Sequence, residues 1–156
     1  MSSHDLLTDD LHMVTTWDEL RSFPNPISIK GPTGEFDQIF KSRANVFRCA
    51  LLSVSLSQVT SKASFFQVAM KALSFPPYAM PNWDSFNELL HDFSWVKSTR
   101  IVILWKSYDD FEARLPALAI KLRQVCSIAS DDGFNYEARS IVHCLSFSHQ
   151  DSDRKR

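Results

Sequence analysis

The chain has 156 residues, 44% of them hydrophobic, and a formal net charge of -1. That length fits a single domain with one packed core, and the near-zero charge supplies no basic field of the kind that holds a nucleic-acid backbone. No apolar run approaches a membrane span, and the N-terminus, Met-Ser-Ser-His-Asp-Leu-Leu-Thr-Asp-Asp, has neither a basic n-region nor an apolar h-region. A soluble cytoplasmic protein is the expectation.

Residues 1–14 are polar and acidic with little periodicity, and are expected to be disordered or helical only when bound. Phe23-Pro24-Asn25-Pro26 and Gly31-Pro32-Thr33-Gly34 are turn compositions flanking the alternating Ile27-Ser28-Ile29, so residues 1–45 read as a partly disordered N-terminal extension that adds a short strand or hairpin. This segment carries seven acids against four bases. A main domain is placed at 46–147 and a solvated C-terminal tail at 148–156.

Within the main domain, Val46 to Leu52 is the first expected strand. Thr60 or Ser61 is suited to cap a helix from about Lys62 to Leu73, with Phe65, Phe66, Ala69, Ala72 and Leu73 on its inner face. Prolines 76, 77 and 81 keep the next stretch out of a helix, and Asn82 can cap a new one reaching Phe93. There Trp83, Phe86, Leu90 and Phe93 share one apolar face, while Asp84, Glu88 and Asp92 recur every four residues as a second stripe. No Lys or Arg lies between Ala72 and Val96 to neutralise that stripe.

Arg100-Ile101-Val102-Ile103-Leu104-Trp105 reads as a continuous apolar strand, the form taken where both faces of a parallel sheet are covered, and is the candidate central strand. A short helix from Asp109 to Arg114 is followed by a long amphipathic one with Pro116 in its first turn, stopped at Asp131-Asp132-Gly133. Ser140 to Leu145 is the last strand. Strands separated by helices imply an α/β fold, a small three-stranded parallel sheet packed with helices and joined by right-handed crossovers.

The chemistry-bearing residues are few. Cys49, Cys126 and Cys144 are odd in number, lack Cys-x-x-Cys spacing and sit in apolar contexts, so buried thiols are expected. His143 and Cys144, adjacent on a strand, point to opposite faces and cannot share one metal. Asp84 and Glu88 have no nucleophile, phosphate loop or metal motif near them, and neither an enzyme nor a cofactor is expected. Alone, Asp84 fits a helix first turn, where a carboxylate gains ~0.3–1 kcal/mol from the macrodipole, and Glu88 and Asp92 fit a solvated face equally well.

Phe75-Pro76-x-Tyr78-x-x-x-Asn82-Trp83-Asp84-x-Phe86, followed by Glu88 and then Leu90-His91-Asp92-Phe93-Ser94-Trp95, resembles the signature of the barstar family, intracellular inhibitors of secreted ribonucleases such as barnase. The resemblance extends more weakly over residues 46–147. It implies a barstar-like sheet and an inhibitor, monomeric when free, that plugs a ribonuclease active site with its loop and acidic helix, probing neither nucleic acid nor membrane. An immunity protein against a bacterial ribonuclease toxin is the function it suggests. The surface so implied comprises Tyr78, Asn82, Asp84, Asn87, Glu88, His91 and Asp92, whose carboxylates would occupy phosphate positions in a cationic cleft; His91 lies beside the stripe and can pair with it.

By the same resemblance Tyr78 stands at the family's contact tyrosine, Asp84 at its first key aspartate and Glu88 where a second aspartate is usual. Asn87 occupies the place of an aromatic contact, Met80 that of a loop glycine, and Ile128, in a loose part of the alignment, that of a further glutamate. These departures and the near-neutral charge leave a second reading open, a barstar-fold binding module or immunity protein whose partner is a non-ribonuclease toxin or which uses another surface.

Overall fold

The structure is a computed structural model that describes residues 5–128 and 139–148. Its strands are β1 (Asp5–Leu7), β2 (Ile27–Lys30), β3 (Ala50–Ser55), β4 (Arg100–Lys106) and β5 (Ser140–Phe147). The helices are α1 (Thr8–Leu11), α2 (Trp17–Arg21), α3 (Phe36–Phe47), α4 (Lys62–Ala72), α5 (Trp83–Leu90), α6 (Tyr108–Arg114) and α7 (Pro116–Ile128). All strands run parallel in the order β1-β2-β5-β4-β3.

The sheet therefore has five strands, not the three expected. β1 and β2 both come from residues before 46, and they pair side by side in parallel rather than as a hairpin. The apolar run 100–105 is an interior strand, flanked by β5 and β3, but β5 holds the middle position.

Side chains alternate across a strand, and β4 and β5 place apolar residues on both faces. Ile101, Ile103, Trp105, Ile141 and Leu145 join one core with residues of α4, α5, α6 and α7, including Phe65, Phe66, Phe86, Phe111 and Leu122. Val102, Leu104, Val142 and Cys144 join a second core with Leu11, Trp17, Leu20, Phe36 and Phe40. The segment expected to be partly disordered thus supplies β1, α1, α2, β2 and α3 from residue 5 onward, and covers one whole face of the sheet.

The expected first strand at 46–52 begins later. Phe36, Ile39, Phe40 and Phe47 are the buried residues of α3, a helical spacing that carries Val46 and Phe47 into the helix, across the position where a domain boundary was placed. Arg48 then turns left-handed at φ 56°, and the Cys49 N–H donates to the Ala44 carbonyl, which ends α3 and starts β3. The caps follow the sequence more closely. Ser61 accepts from Ser64 N–H at 3.1 Å at the start of α4, and Pro116 opens α7. The stop at 131–133 and the tail from residue 149 lie outside the described residues.

Asn25 ties the two halves together. β2 meets β5 only from Ile27 opposite Cys144 onward, leaving the preceding backbone of β5 without a strand partner on that side. The Asn25 carboxamide takes the strand's place, its Nδ2 donating to the Ile141 carbonyl at 3.0 Å and its Oδ1 accepting from His143 N–H at 2.8 Å. At the other end of β2, any side chain on Gly31 would collide with Thr8 of α1.

Asn25→Ala strands one donor and one acceptor on β5, where β2 has not yet begun to pair with it. Unsatisfied groups of that kind cost about 1–3 kcal/mol each, so urea denaturation should give at least about 1 kcal/mol of lost stability, with Asn25→Asp no milder, because its carboxylate keeps the acceptor for His143 N–H but sets an oxygen against the Ile141 carbonyl. A loss within 0.3 kcal/mol of zero for Asn25→Ala would mean that water replaces the carboxamide without penalty.

Candidate functional site

α5 is held against the sheet by aromatic packing. Phe65 of α4 is in ring contact with Phe66, Trp83, Phe86, Trp105 and Phe111, at centroid distances from 5.4 to 6.3 Å. Phe86, Leu90 and Phe93 are fully buried, and Leu89 nearly so. Trp83 is only half-buried, so the expected apolar face forms with its first residue at the rim. Aromatic pairs add about 0.5–1.5 kcal/mol each beyond their buried area, which makes this wall a rigid mount for whatever α5 displays.

The loop before α5 is fixed by its own polar contacts. Asn82 Oδ1 accepts from Ser85 N–H at 2.8 Å, and Ser85 Oγ accepts from Met80 N–H at 2.9 Å. Asn82 N–H donates back to the Met80 carbonyl at 2.8 Å. These bonds set the loop apex outward, leaving Tyr78 68% and Met80 56% exposed. Asn82 is the expected cap, and it is exposed as well.

Asp84 and Glu88 lie one helical turn apart on the solvent side of α5. Among the described residues neither carboxylate forms an ion pair, since the salt bridges there are Lys30–Asp5 and Lys106–Asp37. Asp92 does not continue the stripe. α5 ends at Leu90, Phe93 takes a left-handed φ of 46°, and Asp92 turns to accept from Ser94 N–H at 3.2 Å.

The covered arc of α5 is wider than the 83/86/90/93 stripe and reaches Asn87 and His91. His91 is buried at 8% exposure, and its Nδ1 lies 2.7 Å from the Asn87 carbonyl. A carbonyl can only accept, so that nitrogen carries the proton. Asn87 is half-buried with its Oδ1 shielded from solvent. Tyr78, Asn82, Asp84 and Glu88 therefore share the exposed surface, Asp92 sits at its end, and Asn87 and His91 face the protein. Met80 was not among the expected contacts; the three prolines around it were the available sign that this apolar side chain is held outward.

Behind α5, on β5, His143 is fully buried and its Nδ1 accepts from Trp105 Nε1 at 3.1 Å. Burial lowers its pKa from 6.5 to about 3, and nearby His91 adds to the effect. As expected, Cys144 points to the opposite core. The three thiols are free, Cys126 and Cys144 buried and Cys49 half-buried, and burial pushes all of them up, Cys49 to about 11. No group of three metal-ligating side chains occurs among the described residues, and no helix there is long and apolar enough to cross a membrane. Ile128 closes α7, and its side chain lies outside the described part.

The exposed side of α5 thus carries two carboxylates that make no ion pair among the described residues, beside the exposed Tyr78 and Met80 of the loop. A family model described as Barstar (barnase inhibitor) matches residues 49–144, which span β3 to β5 with the loop and α5 between them. The chain belongs to the barstar family. No curated protein matches it by direct sequence comparison.

The neutral His143 makes folding stability depend on pH. A histidine held at about 3 in the fold and near 6.5 unfolded favours the native state fully above pH 6.5, and this contribution is lost as pH falls from 6.5 towards 3. The slope is about 1.4 kcal/mol per pH unit. His143→Gln, which keeps an acceptor for Trp105, should flatten the urea-denaturation midpoint between pH 6.5 and 4 relative to wild type; parallel curves for the two proteins would contradict the assignment.

Proposed function

We propose that the chain is an intracellular inhibitor that binds and occludes the active site of a ribonuclease, acting as an immunity protein in the cytoplasm of a cell exposed to a ribonuclease toxin. The observation that carries this reading is the pair Asp84 and Glu88, exposed, one turn apart and without ion pairs among the described residues, on a helix seated against a buried aromatic wall. A ribonuclease cleft must be cationic to bind phosphates, so two carboxylates on a rigid mount can fill phosphate positions and accept from its Arg, Lys or His. Tyr78 and Met80 would cover the cleft's margin. The protein acts as a monomer, and it needs no nucleic acid, membrane, metal or cofactor.

Glu88 reaches one methylene further than the aspartate usual in the family, and Asn87 is turned partly inward, so the cognate cleft differs from that of barnase. A second reading keeps the immunity role and changes the partner to a toxin of another class, or moves the contact to another surface. It is favoured by the layer built from residues 5–47, all of which lie outside the family match.

Inhibition of barnase and of a panel of small secreted ribonuclease toxins, measured with wild type and with Asp84→Ala/Glu88→Ala, separates the readings. Truncating one partner of a buried, hydrogen-bonded charge pair costs about 2–5 kcal/mol or more. The double variant should therefore weaken inhibition by at least about 100-fold with an unchanged melting temperature, and wild-type inhibition should weaken as salt rises. Inhibition that survives the double change would move the interface away from α5.

A further inference from the structure

Beside the acidic helix lies a surface of the opposite charge. Trp83, the first residue of α5, forms one wall of an open groove of about 450 Å³ that runs between the start of α4 and the α6–α7 junction. Leu115 and Leu118 form its floor, with Lys62, Arg114 and Lys121 around it and no acid among the lining residues. The Lys121 ammonium stands 5.9 Å from the centre of the Trp83 ring. Arg114 is already engaged, donating to the Val59 and Leu56 carbonyls at 3.0 and 2.9 Å, which fixes the edge of the groove. Lys62 and Lys121 are exposed and make no ion pair among the described residues.

We infer that this groove is a second, specificity-determining contact surface, which receives an acidic residue adjoining an apolar side chain on the rim of the partner's cleft. The inference rests on the ribonuclease-inhibitor reading and deepens it. Trp83 opens the same short helix that carries Asp84 and Glu88, so a partner large enough to cover that helix end is placed to reach the groove as well. An apolar side chain there covers Trp83, Leu115 and Leu118, and a carboxylate neutralises Lys62 and Lys121. A partner with basic residues all around its cleft would instead bring like charges together as they lose water, a penalty that rejects it. The binding face is thus dipolar, negative on α5 and positive at the groove.

Two measurements test this. In the first, the indole N–H resonance of Trp83, assigned with Trp83→Phe, is followed as the full chain is titrated with millimolar acetyl-Glu-Leu-Glu-Phe-amide or acetyl-Lys-Leu-Lys-Phe-amide. The resonance should move with the acidic peptide only, and the movement should vanish in Lys62→Glu/Lys121→Glu and weaken in Lys62→Met/Lys121→Met. Equal movement with both peptides, or none with either, overturns the inference. In the second, any ribonuclease that the wild-type chain inhibits is assayed against the same variants. Charge reversal should weaken inhibition at least tenfold and the methionine pair less; unchanged inhibition overturns the groove while leaving the inhibitor reading in place. If no ribonuclease is inhibited, the inhibitor reading fails, and the peptide titration alone decides whether the groove binds acidic, apolar segments.

Discussion

The apolar character of β4 and β5 on both faces governs the architecture. Ile101, Ile103 and Trp105 point one way and Val102 and Leu104 the other, and all five are buried. A sheet of this kind cannot leave either face in water, because each buried aliphatic or aromatic side chain accounts for about 1.5–3 kcal/mol. Four helices that follow β3 in sequence cover one face. The other falls to residues 5–47, which bring two further strands and three helices, so the part of the chain outside the family match is placed where the matched part most needs it.

That division of labour leaves the exposed side of α5 undisturbed. The second core lies across the sheet from α5, while α5 packs on Phe65 and Phe66 of α4 and Trp105 of β4. Phe65 and Trp105 transmit the position of the sheet to Phe86, and Phe86 to the helix that carries Asp84 and Glu88. The preceding loop is set by the Asn82 and Ser85 hydrogen bonds near α5 and, at its start, by Phe75 packed against Phe86, Phe93 and Trp95. A preorganised display of this sort limits the ordering cost of binding, since the backbone and the caps are already in place before a partner arrives.

What the sequence made legible was what local chemistry decides. The six-residue apolar run gave β4, Ser61 and Asn82 gave the starts of α4 and α5, and Pro116 gave the start of α7. The misses share a cause, which is that no residue type advertised them. β1 is three residues long and begins with Asp5, too short and too polar for periodicity to register. α3 ends at Arg48 and α5 is closed by Phe93, both left-handed without a glycine, so the expected strand started too early and the acidic stripe was carried one residue too far in the case of Asp92. His91 falls on the correct helical arc, but burial there depends on the width of the covered face, a tertiary quantity that spacing along one helix does not contain. The groove at Trp83 was invisible for the same reason, since Lys62, Arg114 and Lys121 come from three different helices.

The small net charge acquires a meaning from this geometry. With -1 spread over 156 residues, long-range steering of a cationic partner is weak, and beyond about 8–10 Å salt screens what remains. Recognition must then rest on charges that come close and lose water. On the proposed reading Asp84 and Glu88 would form such a set and Lys62 and Lys121 another, the second lined by Trp83 at the start of α5. Two patches of opposite sign cancel in the total while each stays strong at contact distance. If the proposed face is the one that binds, it would favour discrimination between similar clefts over speed of encounter, because a partner that satisfies only one patch leaves the other facing like charge or buried without a counterion.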